Sequence, residues 1–519
     1  MKKLVLYLIA PCLLAIVVAT DHYSLLRLGT NSTETSLTPT SFSSNFGKLC
    51  SYTTDGAVYS QPLYIPAVSG VTGQSGPVNL LVVSTMNGSV YAFNADACGA
   101  AIWTRNFGAV QAASSYPGTL GGLIYNRQLG CKGTPAVDTT TNVVYFVCST
   151  ATTWVLRRVA LVSGQDYPVP PSPGNSSITI TGTVNAVTFC PLCQQNSAGV
   201  TITQGHVYVS FGSMNDQTNH GNWYGWIFAY STGDMSQTAV LCTTCSNASG
   251  GGGVWQAGGG LSVDASGNIY AITGNGSSTP GAGNYTMCLL KLDTSLNVLD
   301  WYAPSDYANM NTNDQDLASG RPMLIPGTDL VVFGAKDFNV YSVHSSCLGN
   351  IGGTQNGCTA PQVFITQGGI TTTHDGIYGC LYVPGLHVGF FPNTSRHIYA
   401  FTLTGSTWNT TPSVISSANY EFPGAQMTAS CNGSTNCIVW ATAPLAAGGQ
   451  FTAQQAKLVA LNPSDLTEYW SSTTRTTDAV GTLAKLTIPT VANGKVYVGT
   501  LDNSVVSYGL SPTRIILAN

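Results

Sequence analysis

The chain has 519 residues, 44% of them hydrophobic and only 8% charged, with a formal net charge of −4. That much apolar sequence buries a large core, and the lack of a basic excess excludes a nucleic-acid surface, which needs a positive face. Abundant Gly, Ser, Thr and Asn beside so little charge is the usage of an all-β protein with many turns.

The first twenty residues, MKKLVLYLIAPCLLAIVVAT, place Lys2 and Lys3 before an apolar run that ends in small side chains. This is the layout of a secretory signal peptide over residues 1–20, with cleavage expected after Ala19 or Thr20. The run is short for a membrane span, and no later segment approaches the required length. The mature chain is therefore expected to be exported: secreted or extracellular, or periplasmic in a Gram-negative bacterium. Residues 21–40, rich in Ser and Thr, read as a polar leader outside the folded domain.

Fifteen cysteines are present, and loss of Cys12 with the signal leaves fourteen, an even number that suggests disulfides in an exported protein. CPLC (Cys190, Cys193) and CTTC (Cys242, Cys245) have zinc-knuckle spacing, but strand-like sequence separates them, so local or mutual disulfides are favoured over a metal cluster. Neither has the strand-to-helix setting that activates a thiol. Nine Asn-x-Ser/Thr sequons, among them Asn31, Asn87, Asn175, Asn284 and Asn409, permit glycosylation without arguing for it.

From residue 60 onward one phrase repeats. A β-run such as LLVVST at 80 is followed by a turn and a second run such as SVYAFN at 89. The second run returns at 154, 226, 287, 339, 397, 457 and 504, and the first at 143, 206, 268, 330, 437 and 495, with a degraded copy, LHVGFF, at 386. A short lead-in such as SQPLYIP, KGTPAVD, GRPMLIPG or TIPTVANG precedes each pair. Several pairs are followed by a Trp-bearing run, as in AIWTRNF, VLDWYAP and LTEYWSS. Four short strands per unit of roughly sixty residues describe a propeller blade, and the units predict eight blades over residues 41–519. After Leu510 only nine residues remain, so the eighth blade lacks its outer strand. NFGKLCSYTTD at 45–55 is free to fill it, which closes the ring and removes two sheet edges.

ALNPSDLTEYW at 460–470 and KLDTSLNVLDW at 291–301 resemble the Ala-x-Asp-x-x-x-Gly-x-x-x-Trp docking repeat of the quinoprotein alcohol dehydrogenases. These are eight-bladed propellers that bind pyrroloquinoline quinone (PQQ). Leu466 and Asn297 stand at the Gly position, and Lys291 replaces one Ala. Longer stretches, including GGVWQAGGGLSVDASGNIYAITGNG and LTIPTVANGKVYVGTLDN, look like a secreted, uncharacterised branch of PQQ-like repeat proteins.

The resemblance implies a site on the ring axis holding PQQ and Ca²⁺. It assigns Asn275 of ITGNGSS as a metal ligand, Asp314 of NTNDQDLASG as the catalytic base with Asp316 second, and Lys336 of GAKDFNVY as a cation on the quinone oxygens. His220 stands where the family has a calcium-binding Glu, and imidazole is a poor ligand for a hard cation. The adjacent cysteine pair that covers the cofactor is missing, with Cys131 followed by Lys132 in its region. The stacking Trp is replaced within Gly258–Gly260, leaving Trp255 as a substitute cofactor contact. No Cys-x-x-Cys-His haem motif is present.

Each residue also has a structural explanation. Asn275 suits a left-handed turn, Asp314 and Asp316 suit turn capping, and Lys336 suits a solvated strand end. Trp223, Trp226 and Trp255 suit inter-blade packing. The expectation is an exported propeller that binds a small molecule, glycan or protein at its axis or rim without conventional quinoprotein catalysis. The alternative is a PQQ- and Ca²⁺-dependent dehydrogenase with an altered site.

Overall fold

The computed structural model describes residues 16–43, 45–112, 128–168, 174–213, 223–246, 250–394 except 366–374, 396–447 and 453–511. Eight small sheets form an eight-bladed β-propeller. Blade 1, for example, runs Leu63–Val68, Val78–Ser84, Ser89–Asn94 and Trp103–Asn106 in simple antiparallel order. The inner strands of blades 2 to 8 are Ala136–Asp138, Thr201–Thr203, Ser262–Val263, Met323–Leu324, Leu381–Val383, Gln426–Asn432 and Thr490–Ala492. The degraded copy at 386 is a true strand, Val388–Pro392. Middle strands are buried on both faces, as in Val143–Ser149, because each blade is covered by a neighbour on either side. Among the described residues the one α-helix is Tyr307–Thr312.

The expected closure is present. Phe46–Thr53 pairs antiparallel with Ser504–Leu510, from Phe46 opposite Leu510 to Thr53 opposite Ser504. Phe46 also packs against Trp470 of blade 7, ring centres 4.9 Å apart. The Cys50–Cys98 disulfide then joins this strand to the far end of blade 1's third strand, so a covalent bond spans the seam. The Trp-bearing outer runs tie one blade to the next: Trp103 of blade 1 donates its Nε1–H to the carbonyl of Leu161 in blade 2 at 2.9 Å. Leu466, at the repeat's Gly position, keeps the left-handed backbone of a glycine, with φ of +58°. Six disulfides form; CPLC and CTTC each close on themselves, while Cys288 and Cys380 are buried thiols.

Residues 21–40 do not lie outside the ring. Val18 to Asn31 coils through the central channel and bonds to every inner strand. Tyr64, Val137, Val263, Leu324, Tyr382 and Ala429 donate their N–H groups to the carbonyls of Val18, Ala19, Leu25, Leu26, Leu28 and Gly29 at 2.8–3.1 Å. Arg27 reaches Thr201 of blade 3, and Val491 N–H of blade 8 donates to the Tyr23 hydroxyl at 2.7 Å. Eight inner strands facing an axis present eight unsatisfied edges, and this segment satisfies them. Its composition is polar because its groups bond inward, not because they face water. The winding is tight enough that His22, Tyr23 and Arg27 all take positive φ.

The plug contains a buried charge cluster. Asp21 accepts from Arg27 Nη1 at 2.7 Å, from His22 Nδ1 at 2.8 Å and from the Gly260 N–H at 2.9 Å. Burial, with Arg321 nearby, depresses His22 to about 3 and keeps it neutral, although Asp21 opposes this.

Candidate functional site

In antiparallel blades the loop between second and third strands and the lead-in to the next inner strand emerge on the same face. That face carries the candidate residues. Asn275 follows the second strand of blade 4, Asp314 and Asp316 belong to the lead-in of blade 5, and Lys336 follows the second strand of blade 5.

These four meet. Asn275 Nδ2 donates to Asp314 Oδ1 at 2.8 Å, and the Asn275 N–H donates to Asp316 Oδ1 at 2.9 Å. Lys336 Nζ donates to Asp316 Oδ2 at 2.6 Å and to Asp314 Oδ2 at 3.3 Å. Asp314 follows the short helix Tyr307–Thr312 with φ of +55°, a backbone that Asp tolerates better than most residues. Burial alone would depress the Lys336 ammonium, but Asp316, Tyr378 and Asp314 together hold it above the usual lysine range. Asn275 Oδ1 is buried and has no hydrogen-bond partner among the described residues.

Trp255 stands beside this cluster. Its Nε1–H donates to the Ser213 carbonyl at 3.3 Å, and Trp223 meets it edge-on at 5.8 Å. Its ring lies so close to the backbone of three glycines that a Cβ built on Gly212, Gly253 or Gly274 would fall within 2.6 Å of it. Much of the ring is therefore occupied by protein, as inter-blade packing requires. Trp226 is fully buried. His220 lies outside the described residues.

A calcium-bridged quinone needs a cage of six to eight oxygen ligands around a hard cation. The described residues supply one unpartnered amide oxygen and two carboxylates already countered by an ammonium. Among them no group of three or more His, Cys, Asp or Glu side chains could hold a metal. The described residues do not make up a conventional Ca²⁺–PQQ site, and no catalytic step is derived through that group.

Two further lysines reach this face that sequence reasoning did not assign. Lys132 Nζ donates to Gln195 Oε1 and Ser197 Oγ, both at 2.8 Å. Lys485 Nζ sits 4.6 Å from the centre of the Phe422 ring. Both keep some accessible surface while being enclosed by protein, and both amines are depressed to about 7. Burial is the cause for Lys132; for Lys485 burial leads, and the charges of Lys132 and Lys336 add to it. The signal for them was positional: KGTP and KLTIP are the lead-ins of blades 2 and 8, so the two lysines occupy equivalent places in the repeat.

No family model and no curated protein matches this chain by sequence. Solved structures do match by fold. Quinohemoprotein alcohol dehydrogenase ADHIIG from Pseudomonas putida HK5 superposes with a TM-score of 0.62 at 11% identity, over 97% of this chain and 81% of that one. The quinohemoprotein alcohol dehydrogenase from Comamonas testosteroni gives 0.55 at 12% identity, over 97% and 82%. BamB from Moraxella catarrhalis gives 0.50 at 12% identity, over 89% and 99%. The chain thus shares the eight-bladed propeller architecture of these proteins, and that architecture carries more than one function.

Proposed function

We propose that this chain is an exported binding protein that holds a small molecule in the axial funnel of the propeller and does not carry out conventional quinoprotein oxidation. One observation carries this reading: Lys336 bonds both Asp314 and Asp316, so the residues at the base and cation positions satisfy one another. Both carboxylates are engaged by one ammonium, so neither can take a proton from a substrate hydroxyl without giving up that contact. The disulfides suit an oxidising compartment, and no helix among the described residues is long and apolar enough to cross a membrane. The plug of residues 18–31 blocks the channel, which favours a blind funnel open on one face over a through-pore.

The test is reconstitution with PQQ and Ca²⁺, followed by absorption spectroscopy and dye reduction on primary alcohols. The expected result is no alcohol-dependent reduction. A second reading, a quinone-dependent dehydrogenase with an altered site, is favoured by the unpartnered Asn275 Oδ1 beside Asp314 and Lys336. Dye reduction that is lost in Asp314→Asn would establish it and overturn the first.

A further inference from the structure

The plug starts further upstream than the expected leader cut allows. Cleavage after Ala19 or Thr20 would remove Val18 and Ala19 from the mature chain, yet both are bonded into the ring. Val18 bridges antiparallel to Tyr64: its N–H donates to the Tyr64 carbonyl at 2.8 Å, and its carbonyl accepts from the Tyr64 N–H at 3.1 Å. The Ala19 carbonyl accepts from the Val137 N–H at 2.8 Å. Tyr64 and Val137 lie on the inner strands of blades 1 and 2. Residues 23–29 serve the inner strands of blades 3 to 8, so residues 18 and 19 are the part of the plug that reaches the first two.

The side chains agree with the backbone. Val18 is fully buried in the cluster that holds Leu63 and Tyr64, and Ile16 and Ala19 pack against the same cluster. Val17, between them, is 40% exposed. That alternation is the pattern of an extended segment laid on a core, and it reaches back to Ile16. A cut at the expected positions would also put a new α-ammonium in a poor place. The Thr20 hydroxyl and the Asp21 carboxylate both accept from Arg27 Nη1, at 2.6 and 2.7 Å. An ammonium on either residue would add positive charge beside a fully buried guanidinium, which is costly.

The leader offers an earlier site. Residues 1–15 lie outside the described residues, so this site is read from the sequence. Lys2 and Lys3 are followed by LVLYLIA, seven apolar residues, the short end of the range for a signal core. Pro11 then ends the run, because its ring cannot continue a helix. Ala15 stands four residues beyond the proline as the small residue that such a cleavage site requires. Ala10, the other alanine upstream of Val18, is followed directly by Pro11.

Resting on the reading of the chain as exported, we propose that the leader is removed between Ala15 and Ile16, so that the mature chain keeps Val18 and Ala19 to complete the plug. The step is hydrolysis of one peptide bond by a leader peptidase of the export machinery. Water adds across the Ala15–Ile16 amide, leaving a carboxylate on Ala15 and a free amine on Ile16. Such a peptidase acts as the chain emerges, before eight blades can close. The position of the cut therefore decides which residues remain to bond the inner strands.

The test is expression of the full chain with its own leader in a bacterial host, followed by mass spectrometry of the N-terminal peptide in the exported and cell-retained fractions. Ile16 is expected as the first residue of the exported chain. Ala15→Leu should retain the leader or divert the cut, whereas Ala19→Leu should leave Ile16 first; the peptide reports the cut whether or not either variant folds. An exported chain beginning at Thr20 or Asp21, or processing that ignores Ala15→Leu, would overturn the proposal. Chains released from a tag to begin at Ile16 or at Thr20 test its premise. The shorter chain should melt lower, with amide exchange at Tyr64 and Val137 faster by about tenfold or more and little change at Leu324 and Tyr382, which bond to Leu26 and Leu28. Equal melting and equal exchange would overturn it as well. A chain that keeps Met1 and stays in the cell would sink the export reading itself, whereas an exported chain cut elsewhere sinks only this inference.

Discussion

Arg27 is the residue on which the plug most depends, and its replacement tests whether the N-terminal segment is part of the fold. It donates to the Leu261 carbonyl through Nε and Nη2, to Thr20, Asp21 and the Asp21 carbonyl through Nη1, and to Thr201 through Nη2. In Arg27→Met the Asp21 carboxylate stays buried with His22, the Gly260 N–H and a long contact from the Thr20 hydroxyl at 3.5 Å as donors. Breaking one side of a buried pair costs about 3–5 kcal/mol, whereas removing both charges together is often close to neutral. Arg27→Met and Asp21→Asn should each therefore lower stability by that amount, and the double variant should lose much less than the sum. With a urea slope of at least ~3 kcal/mol/M, each single variant should shift the midpoint by up to about 1.7 M. If the plug loosens locally instead, amide exchange should rise at Val137, Val263, Leu324 and Tyr382, whose N–H groups bond to it. Unchanged midpoints together with unchanged exchange at those four amides would refute the assignment, as would simple additivity of the two singles.

Replacing Cys50 and Cys98 with Ser should cost about 4 kcal/mol by loop-closure entropy for their 48-residue separation, read by thermal unfolding against the same protein oxidised; no loss would mean the seam is held by strand pairing alone. Expressed through a glycosylating pathway, the exposed sequons Asn175, Asn409 and Asn432 should carry glycans by mass spectrometry while buried Asn31 and Asn393 should not. Gly251→Ala should destabilise by a few kcal/mol, on the order of the strain at such positions, because φ is +90° and the new Cβ would lie 2.3 Å from Gly276 Cα; a midpoint equal to wild type would contradict that approach. Ligand-free stability should rise as pH increases from about 7 to 10. Lys132 and Lys485 are neutral there in the folded chain but protonated in the unfolded one, so unfolding takes up protons. The Lys132→Met/Lys485→Met double variant should flatten that rise in a melting-temperature series.

The ring was legible because its signal is repetition: eight copies of a two-strand phrase report one another, so a weak copy such as LHVGFF is rescued by its neighbours. Closure by Phe46–Thr53 was legible for the same reason, since a counted deficit of one strand at the end needed one at the beginning. The cluster of Asn275, Asp314, Asp316 and Lys336 was legible only through resemblance. No local pattern says that residues 39 and 22 positions apart share hydrogen bonds. The plug was misread because polarity was equated with exposure. Segment 18–31 serves eight different edges, one bond at a time, and such a role leaves no periodic trace. Lys132 stood in a lead-in and Lys485 just before one, but single lysines at repeat ends carry no charge pattern until the ring brings them onto one face.

Asp21 offsets Arg27, and His22 is kept neutral by burial and by Arg321, so the core of the channel retains the charge of Arg321. Among the described residues no carboxylate contacts that guanidinium, whose bond goes to the Cys380 carbonyl, and a buried guanidinium so placed is costly. The Asp21 charge favours it from a distance, so Asp21→Asn removes the field that stabilises two buried guanidinium groups and not only the partner of Arg27.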